Sequence, residues 1–259
     1  ERSAPALRCT PVAGAAPPPG SCQGLVVVDL SSLWAGPLCG HLLQLAGARV
    51  IKVESETRPD GARAGPPAFF DLLHAGQEAV ALDFGSAPGR TRLRRLLAAA
   101  DVVIEASRPR ALAQLDAGPE QVLPAGRPRL WVSITGYGRG ETAGRRVAFG
   151  DDAAAAGGLV VWDGDGPCFC ADALGDPAAG LFAAAGALAA LRTGGRWILD
   201  VTMSGAAAFL AGSSPPTPFD GRTTRPLTAA APRARHRTGR AAPPGRDTEE
   251  VMRELCPGC

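Results

Sequence analysis

Leu25-Val26-Val27-Val28-Asp29-Leu30-Ser31-Ser32-Leu33-Trp34-Ala35-Gly36-Pro37 is the stretch from which the fold can be read. The apolar, β-branched run Leu25–Leu30 predicts a strand buried on both faces. Pro37 suits the first turn of a helix, where a backbone N–H has no intrahelical partner anyway, and a helix is predicted over Pro37–Leu45. The alternation continues. Further strands are predicted at Arg49–Val53, Ala79–Leu82, Val102–Glu105 and Leu130–Thr135, with helices at Arg90–Ala99 and near Arg110–Leu115. Buried strands separated by helices predict an α/β fold, a doubly wound parallel sheet with flanking helices. In such a sheet ligands bind beyond the strand ends, so the turn Leu33-Trp34-Ala35-Gly36 is a candidate site. There Gly36 would let a ligand approach the backbone, and the free N–H groups of the helix start would suit an anion. The same residues also describe an ordinary strand–helix turn.

Outward from that core, residues 1–23 are rich in Ala and Pro and are expected to be disordered. The α/β domain is placed at 24–212, closing with helical blocks at Asp152–Gly158 and Pro177–Leu191, a strand at Trp197–Val201 and a helix at Ser204–Ala211. Residues 213–246 hold seven arginines and little hydrophobic periodicity, and read as a solvated linker, although arginine runs also bind phosphates. Residues 247–259 begin with Asp247-Thr248-Glu249-Glu250, a capped start for a helix running to Leu255.

Composition closes several routes. The 259 residues carry a net charge of +2, too balanced for a nucleic-acid binder or a polybasic membrane protein. Lys52 is the single lysine among 27 basic residues, so a pyridoxal-phosphate enzyme would need it as the Schiff base. No lysine follows Tyr137 to make a Tyr-x-x-x-Lys dehydrogenase, and no glycine run precedes Lys52 to make a phosphate loop. The seven cysteines are irregularly spaced, with one C-x-x-C, Cys256 to Cys259, and no second pair, so no metal site is expected. Residues 1–23 lack the pattern of a signal peptide, and Ala178–Leu191 is too short to span a bilayer. A reduced, cytoplasmic protein is the expectation.

Individual motifs are mostly plain. Gly136-Tyr137-Gly138-Arg139-Gly140 follows a strand but does not open into a helix, which predicts a flexible loop rather than a pyrophosphate cradle. Asp163-Gly164-Asp165-Gly166 lacks the later ligands of a calcium loop and reads as a turn. No G-x-S-x-G exists, and none of His41, His74 and His236 sits in a nucleophile motif. Asp176-Pro177 reads as an N-cap with Pro at the first helical position. The same placement exposes a carboxylate beside the positive end of a helix, an environment that favours ionisation and stabilises negative charge developing on an attacked acyl group.

Taken together these stretches resemble the class III CoA-transferases, the family of formyl-CoA transferase, carnitine CoA-transferase and α-methylacyl-CoA racemase. The resemblance is carried by Val28-Asp29-Leu30, Ala35-Gly36-Pro37 and Gly47-Ala48-Arg49-Val50-Ile51-Lys52-Val53-Glu54. Pro59-Asp60-Gly61-Ala62-Arg63, Val80-Ala81-Leu82-Asp83 and Ala100-Asp101-Val102-Val103-Ile104-Glu105 continue it, followed by Trp131-Val132-Ser133-Ile134-Thr135-Gly136 and Ala189-Ala190-Leu191-Arg192-Thr193-Gly194-Gly195. It covers about Gly24 to Ala211 and the final helix. It implies that Asp176 is the catalytic aspartate, forming first an anhydride with the acyl group and then a thioester with CoA. It also implies that Leu33, Trp34, Ala35, Gly36, Ser55, Leu73, Ala106, Ser107, Arg108 and Arg146 line the CoA site. CoA and acyl-CoA would be substrates rather than permanently bound cofactors, a carboxylic acid the second substrate, and a homodimer the working form.

Departures from the family pattern are definite. The racemase His–Asp pair is Phe149 and Gly150 here, so a racemase or isomerase reading lacks its base. Gln77 and Glu78 stand where the family carries basic residues before the Val-x-Leu-Asp strand, and Ser55 stands where an arginine often follows Ile-Lys-Val-Glu. The small domain that family members insert before the last helix is expected to be largely replaced by the linker. That shortening leaves a further reading open, a non-catalytic CoA-binding subunit completed by a partner chain.

Overall fold

The computed structural model describes residues 4–14, 17–124, 126–163, 166–212 and 235–257. Its centre is a seven-stranded sheet in the order β1-β9-β6-β5-β2-β3-β4. The strands are β1 (Leu7–Pro11), β2 (Val26–Asp29), β3 (Arg49–Ser55), β4 (Glu78–Leu82), β5 (Val102–Glu105), β6 (Leu130–Thr135) and β9 (Trp197–Thr202). All neighbours run parallel except β1, which pairs antiparallel with β9, Leu7 opposite Val201. The strands β2, β5 and β6 are buried along their whole length. Helices cover both faces, as a parallel sheet requires. On one face α1 (Ala35–Leu45) and α7 (Gly175–Thr193) pack over Val27, Val102, Val132 and Leu199. On the other, α3 (Ala87–Ala99) and α9 (Thr248–Leu255) cover Val28, Ile51, Val80 and Trp131. The expected α/β fold, a mostly parallel sheet flanked by helices, is therefore present.

The chain reverses direction across the sheet between β2 and β5. From β2 it steps outward through β3 to β4, then returns to start β5 on the other side of β2. A crevice opens there at the carboxyl ends of the strands. The remaining elements are α2 (Pro67–His74), α4 (Pro109–Gln114), α5 (Pro119–Val122), α6 (Gly150–Ala156), α8 (Met203–Ala211) and the small antiparallel hairpin of β7 (Val160–Asp163) and β8 (Gly166–Phe169).

The structure departs from the sequence reading at both ends of the sheet. Residues 7–11, inside the segment expected to be disordered, form β1 because β9 offers them an unpaired edge. The Asp247 carboxylate does not cap its helix. It accepts from the Ala79 N–H at 2.8 Å, while the Asp247 N–H donates to the Ala79 carbonyl at 3.0 Å and Thr248 Oγ1 accepts from the Ala81 N–H at 3.0 Å. These two residues continue the hydrogen bonding of β4 past its last strand neighbour. Within the segment expected to be a solvated linker, Ala241 donates to Asp71 at 2.9 Å, Arg237 pairs with Asp71 at 3.2 Å and Ala242 is buried. The rest of that segment, 213–234, and with it the expected replacement of a small domain, lies outside the described residues.

Candidate active site at the sheet crossover

The loop leaving β2 is fixed from beneath by buried charge. Asp29 turns the chain by accepting from the Ser31 N–H at 2.8 Å and from the Ser31 hydroxyl. Lys52, fully buried on β3, donates to the Ser31 carbonyl and pairs with Asp60 at 2.9 Å. The other Asp60 oxygen accepts from the N–H groups of Leu33 at 3.0 Å and Ala62 at 2.9 Å. Burial alone would raise the Asp60 carboxyl, but Lys52 and those two N–H groups outweigh it and hold it below the usual carboxylate range. Asp60 is held in turn: its N–H donates to Glu54 at 2.8 Å, and Glu54 receives the Arg63 guanidinium at 2.6 Å. The lone lysine is thus a structural post beneath the loop.

That scaffold sets Leu33 at φ +70°, a left-handed conformation unusual for leucine, and leaves it 41% exposed at the crevice. Trp34 stands edge-on to Phe69 with ring centres 5.3 Å apart. Ala35 and Gly36 are buried at the start of α1, whose cap residue Trp34 supplies no side-chain acceptor. Gly36 does not leave room for a ligand as expected: the space a Cβ would take there is filled by the Ser31 side chain.

Across the crevice, β5 ends in Glu105, also fully buried. It accepts from the Ser133 hydroxyl, from Arg139 at 3.1 Å and from the Ser107 N–H at 2.9 Å. Burial raises its carboxyl, and Ser133 and Arg139 only partly offset this. Ala106 and Arg108 are exposed on the rim and Ser107 is half-buried. The loop expected to be flexible is anchored: the Gly138 N–H meets Thr135 Oγ1 at 2.8 Å, the Arg139 N–H meets Asp200 at 2.9 Å, and Arg139 also reaches Glu120 at 3.0 Å. Further along, Arg146 lies over the Tyr137 ring at 3.6 Å.

Asp176 enters from α7. Gly180 backs so closely onto the Ala35 carbonyl that a Cβ there would come within 2.6 Å of it. Asp176, one turn nearer the start of α7, is thereby set beside the start of α1. It is the second residue of the helix, not the cap, since α7 begins at Gly175. Its carboxylate accepts from the Gly150 N–H at the start of α6 and is half-buried. A Cβ at Gly150 would run into that carboxylate and the Ala173 carbonyl. Burial pushes the Asp176 carboxyl up to about 6; Gly150 pulls against this, while Asp151 and Asp172 add to it.

The structure thus brings Leu33, Trp34, Ala106, Ser107 and Arg108 to the crossover, while Asp176 sits at the start of α7, the helix whose Gly180 touches Ala35 at the start of α1. Ser55 ends the next strand, β3, its hydroxyl 3.2 Å from Thr57 Oγ1. Arg146 lies beyond β6 on the same side of the sheet. Leu73 is the exception: it is 1% exposed inside α2, out of reach of a ligand. Gln77 and Glu78 have structural duties. Gln77 is buried against His74 at 2.8 Å, and Glu78 pairs with Arg49 at 2.6 Å. Gly150 and the Glu105–Ser133–Arg139 cluster were not legible as site residues; the one signal was a glycine directly before two aspartates.

Among the described residues no three His, Cys, Asp or Glu side chains gather as a metal site, and no helix is long and apolar enough to cross a membrane. Two hollows of about 460 and 170 Å³ are lined respectively by His236, Arg237, Gly239 and Arg240 and by residues around Arg8, Tyr137 and Asp200; neither takes in Asp176.

Known proteins share this architecture. The chain is 29% identical over 198 residues to succinyl-CoA–D-citramalate CoA-transferase of Chloroflexus aurantiacus, covering 71% of this chain and 49% of that protein. It is 32% identical over 197 residues to human α-methylacyl-CoA racemase, covering 73% of this chain and 49% of the racemase. It spans about half the length of these curated relatives. A crystal structure of a CaiB/BaiF family protein from Brucella suis superposes with a TM-score of 0.67 at 29% identity, covering 77% of this chain and 60% of that one. The model of CoA-transferase family III matches residues 22–243, and the chain belongs to that family.

Proposed function

We propose that this chain moves CoA from an acyl-CoA thioester to a carboxylic acid, with Asp176 as the nucleophile. The observation that carries the reading is the environment of that carboxylate. It sits at the start of α7 beside the start of α1, half-buried, with its carboxyl raised to about 6. A carboxylate of that kind is still mostly ionised at neutral pH, by roughly ten to one, and is more basic and more nucleophilic than an exposed one.

Attack of the Asp176 oxygen on the thioester carbonyl forms a C–O bond, and collapse of the tetrahedral adduct expels CoA thiolate, leaving an aspartyl-acyl anhydride. The thiolate then attacks the Asp176 carbonyl, which releases the donor acid as its carboxylate and leaves an aspartyl-CoA thioester. An acceptor carboxylate repeats the sequence in reverse, and Asp176 is regenerated. Each tetrahedral oxyanion needs donors, and the uncapped first turn of α1 next to Asp176 supports that role. CoA binding by Leu33, Trp34 and the Ala106–Arg108 rim, and the homodimer, belong to the same proposal.

The two positions of the racemase pair supply no base here. Phe149 is exposed, and the Gly150 N–H is spent on Asp176. Mass spectrometry of the protein incubated with an acyl-CoA tests the proposal: a CoA adduct on the peptide bearing Asp176 is expected, and none in Asp176→Ala. Transfer that persists in Asp176→Ala overturns it. Calorimetry with free CoA separates binding from chemistry. Micromolar affinity, about −8 kcal/mol, is expected in both forms, and sedimentation reads the dimer.

A further inference from the structure

We infer that Asp151 is a positioning residue for Asp176: it clamps the turn that delivers the nucleophile and sets the charge beside it. This rests on the reading of Asp176 as nucleophile.

The turn into α7 is strained and is held from α6. Ala173 adopts φ +48°, the left-handed region that a residue with a Cβ rarely occupies. Its N–H donates to Asp151 Oδ1 at 2.6 Å, a short bond from backbone to carboxylate. Its carbonyl accepts from the Asp176 N–H at 2.9 Å. Asp151 therefore grips the residue that fixes the Asp176 backbone, while its neighbour Gly150 donates to the Asp176 carboxylate. Contact at this corner is close: a Cβ at Gly175 would come within 2.6 Å of the Gly150 carbonyl. Two consecutive residues of α6 thus hold the nucleophile, one by its backbone and one by its side chain.

Asp151 also supplies charge. The groups that act on Asp176 are Asp151 from α6 and Asp172 from the preceding loop, both negative. Asp152, also on α6, accepts from the Phe149 N–H at 3.2 Å. Of the elements packed on α7, α1 carries only His41 as a titratable side chain besides Cys39, and α8 carries no charged residue. On β9, Asp200 accepts from the Arg139 N–H. Removing the Asp151 charge leaves Asp172 as the one carboxylate disfavouring ionised Asp176. An amide at position 151 keeps the acceptor for Ala173 and loses the charge; a methyl loses both.

The test is Asp151→Asn beside Asp151→Ala in the full chain. Carbon-detected NMR of aspartate carboxyls, with Asp176→Asn for assignment, reads the Asp176 titration without substrate. In Asp151→Asn the midpoint is expected to fall from about 6 toward the ordinary aspartate range. The acid limb of kcat should follow it, kcat should drop several-fold and KM should hold. In Asp151→Ala the further loss of the clamp should cut kcat by more than a factor of ten below the Asn variant. An Asp176 midpoint that stays in place in Asp151→Asn, with both variants changed only in thermal stability, overturns the inference. Absence of a CoA adduct on wild-type Asp176 overturns the nucleophile reading, and this inference with it, whatever the titration gives.

Discussion

On one side of the crevice the loop from β2 to α1 is held by buried charge; on the other, α6 and α7 pack on each other and on α8 and α1 through glycine and alanine. The first side joins Lys52, Asp60, Glu54 and Arg63 with the N–H groups of Leu33 and Ala62 into one network. The second is a set of near collisions. Gly175 faces the Gly150 carbonyl, Gly180 faces the Ala35 carbonyl, and Gly157 faces the Ser204 carbonyl and Ala207. Charge fixes direction and fails when a partner is removed. Close packing fixes distance and fails when an atom is added. On the proposed function, groups that point a certain way for a ligand, such as the Leu33 backbone, lie on the first side. The group that must sit at a set depth, Asp176, lies on the second.

Each side can be broken in its own way. Asp60→Ala strands the Lys52 ammonium in the interior and frees Leu33 from its left-handed conformation, so a loss of about 3–5 kcal/mol is expected. Urea unfolding reads it, and a loss under 1 kcal/mol would mean that the network is not under load. Gly175→Ala adds one methyl against a backbone carbonyl that cannot swing aside, with an expected cost of about 1–3 kcal/mol. Turnover should fall more than stability does, since the start of α7 must shift. A variant that keeps wild-type turnover shows that the depth of Asp176 is not set here.

Asp176→Asn sharpens the contrast, because it should stabilise the fold while ending transfer. The native state holds the Asp176 proton to about pH 6, against 3.8 for an ordinary aspartate. A raised carboxyl means that the native state binds the proton more tightly than the unfolded chain does. Stability therefore falls as pH climbs through that window, and the deficit is complete above it. Asparagine removes a deficit of about 3 kcal/mol at pH 8 and changes little at pH 4. Thermal melts at the two pH values check the sign. The smallest effect is expected at Arg146→Ala, where loss of the exposed stack on Tyr137 costs about 0.5 kcal/mol.

The parallel sheet was legible because β2, β5 and β6 are mostly apolar, with the polar Asp29 and Glu105 only at strand ends and Ser133 and Thr135 within β6, the mark of strands covered on both faces. The strand β1 was not legible. Leu7–Pro11 alternates weakly among alanines and prolines, and what makes it a strand is the register of β9, almost two hundred residues away. Asp176 could be found from its block of sequence, but not its place inside the helix. Dipeptide patterns place caps, and here the helix begins at Gly175, two residues ahead of the Pro177 that the Asp-Pro pair marks as its first position. Glu105 and Arg139 escaped because each looks like an ordinary surface charge, and only the folded sheet brings them to Ser133. Leu73 matched a position said to face a ligand, yet α2 turns it inward.

The contact of Asp247 and Thr248 with β4 has a bearing on how the molecule is made. The strands β2, β3 and β4 leave the ribosome before α9 does, and the edge of β4 is not satisfied until residues more than one hundred and sixty positions later arrive. Val251 and Met252 then roof the same face. The earlier-made strands are therefore completed by a later-made helix. Until then it shows the cell an open strand edge and an unroofed patch of Ile51, Val80 and Leu93, the kind of surface a chaperone holds.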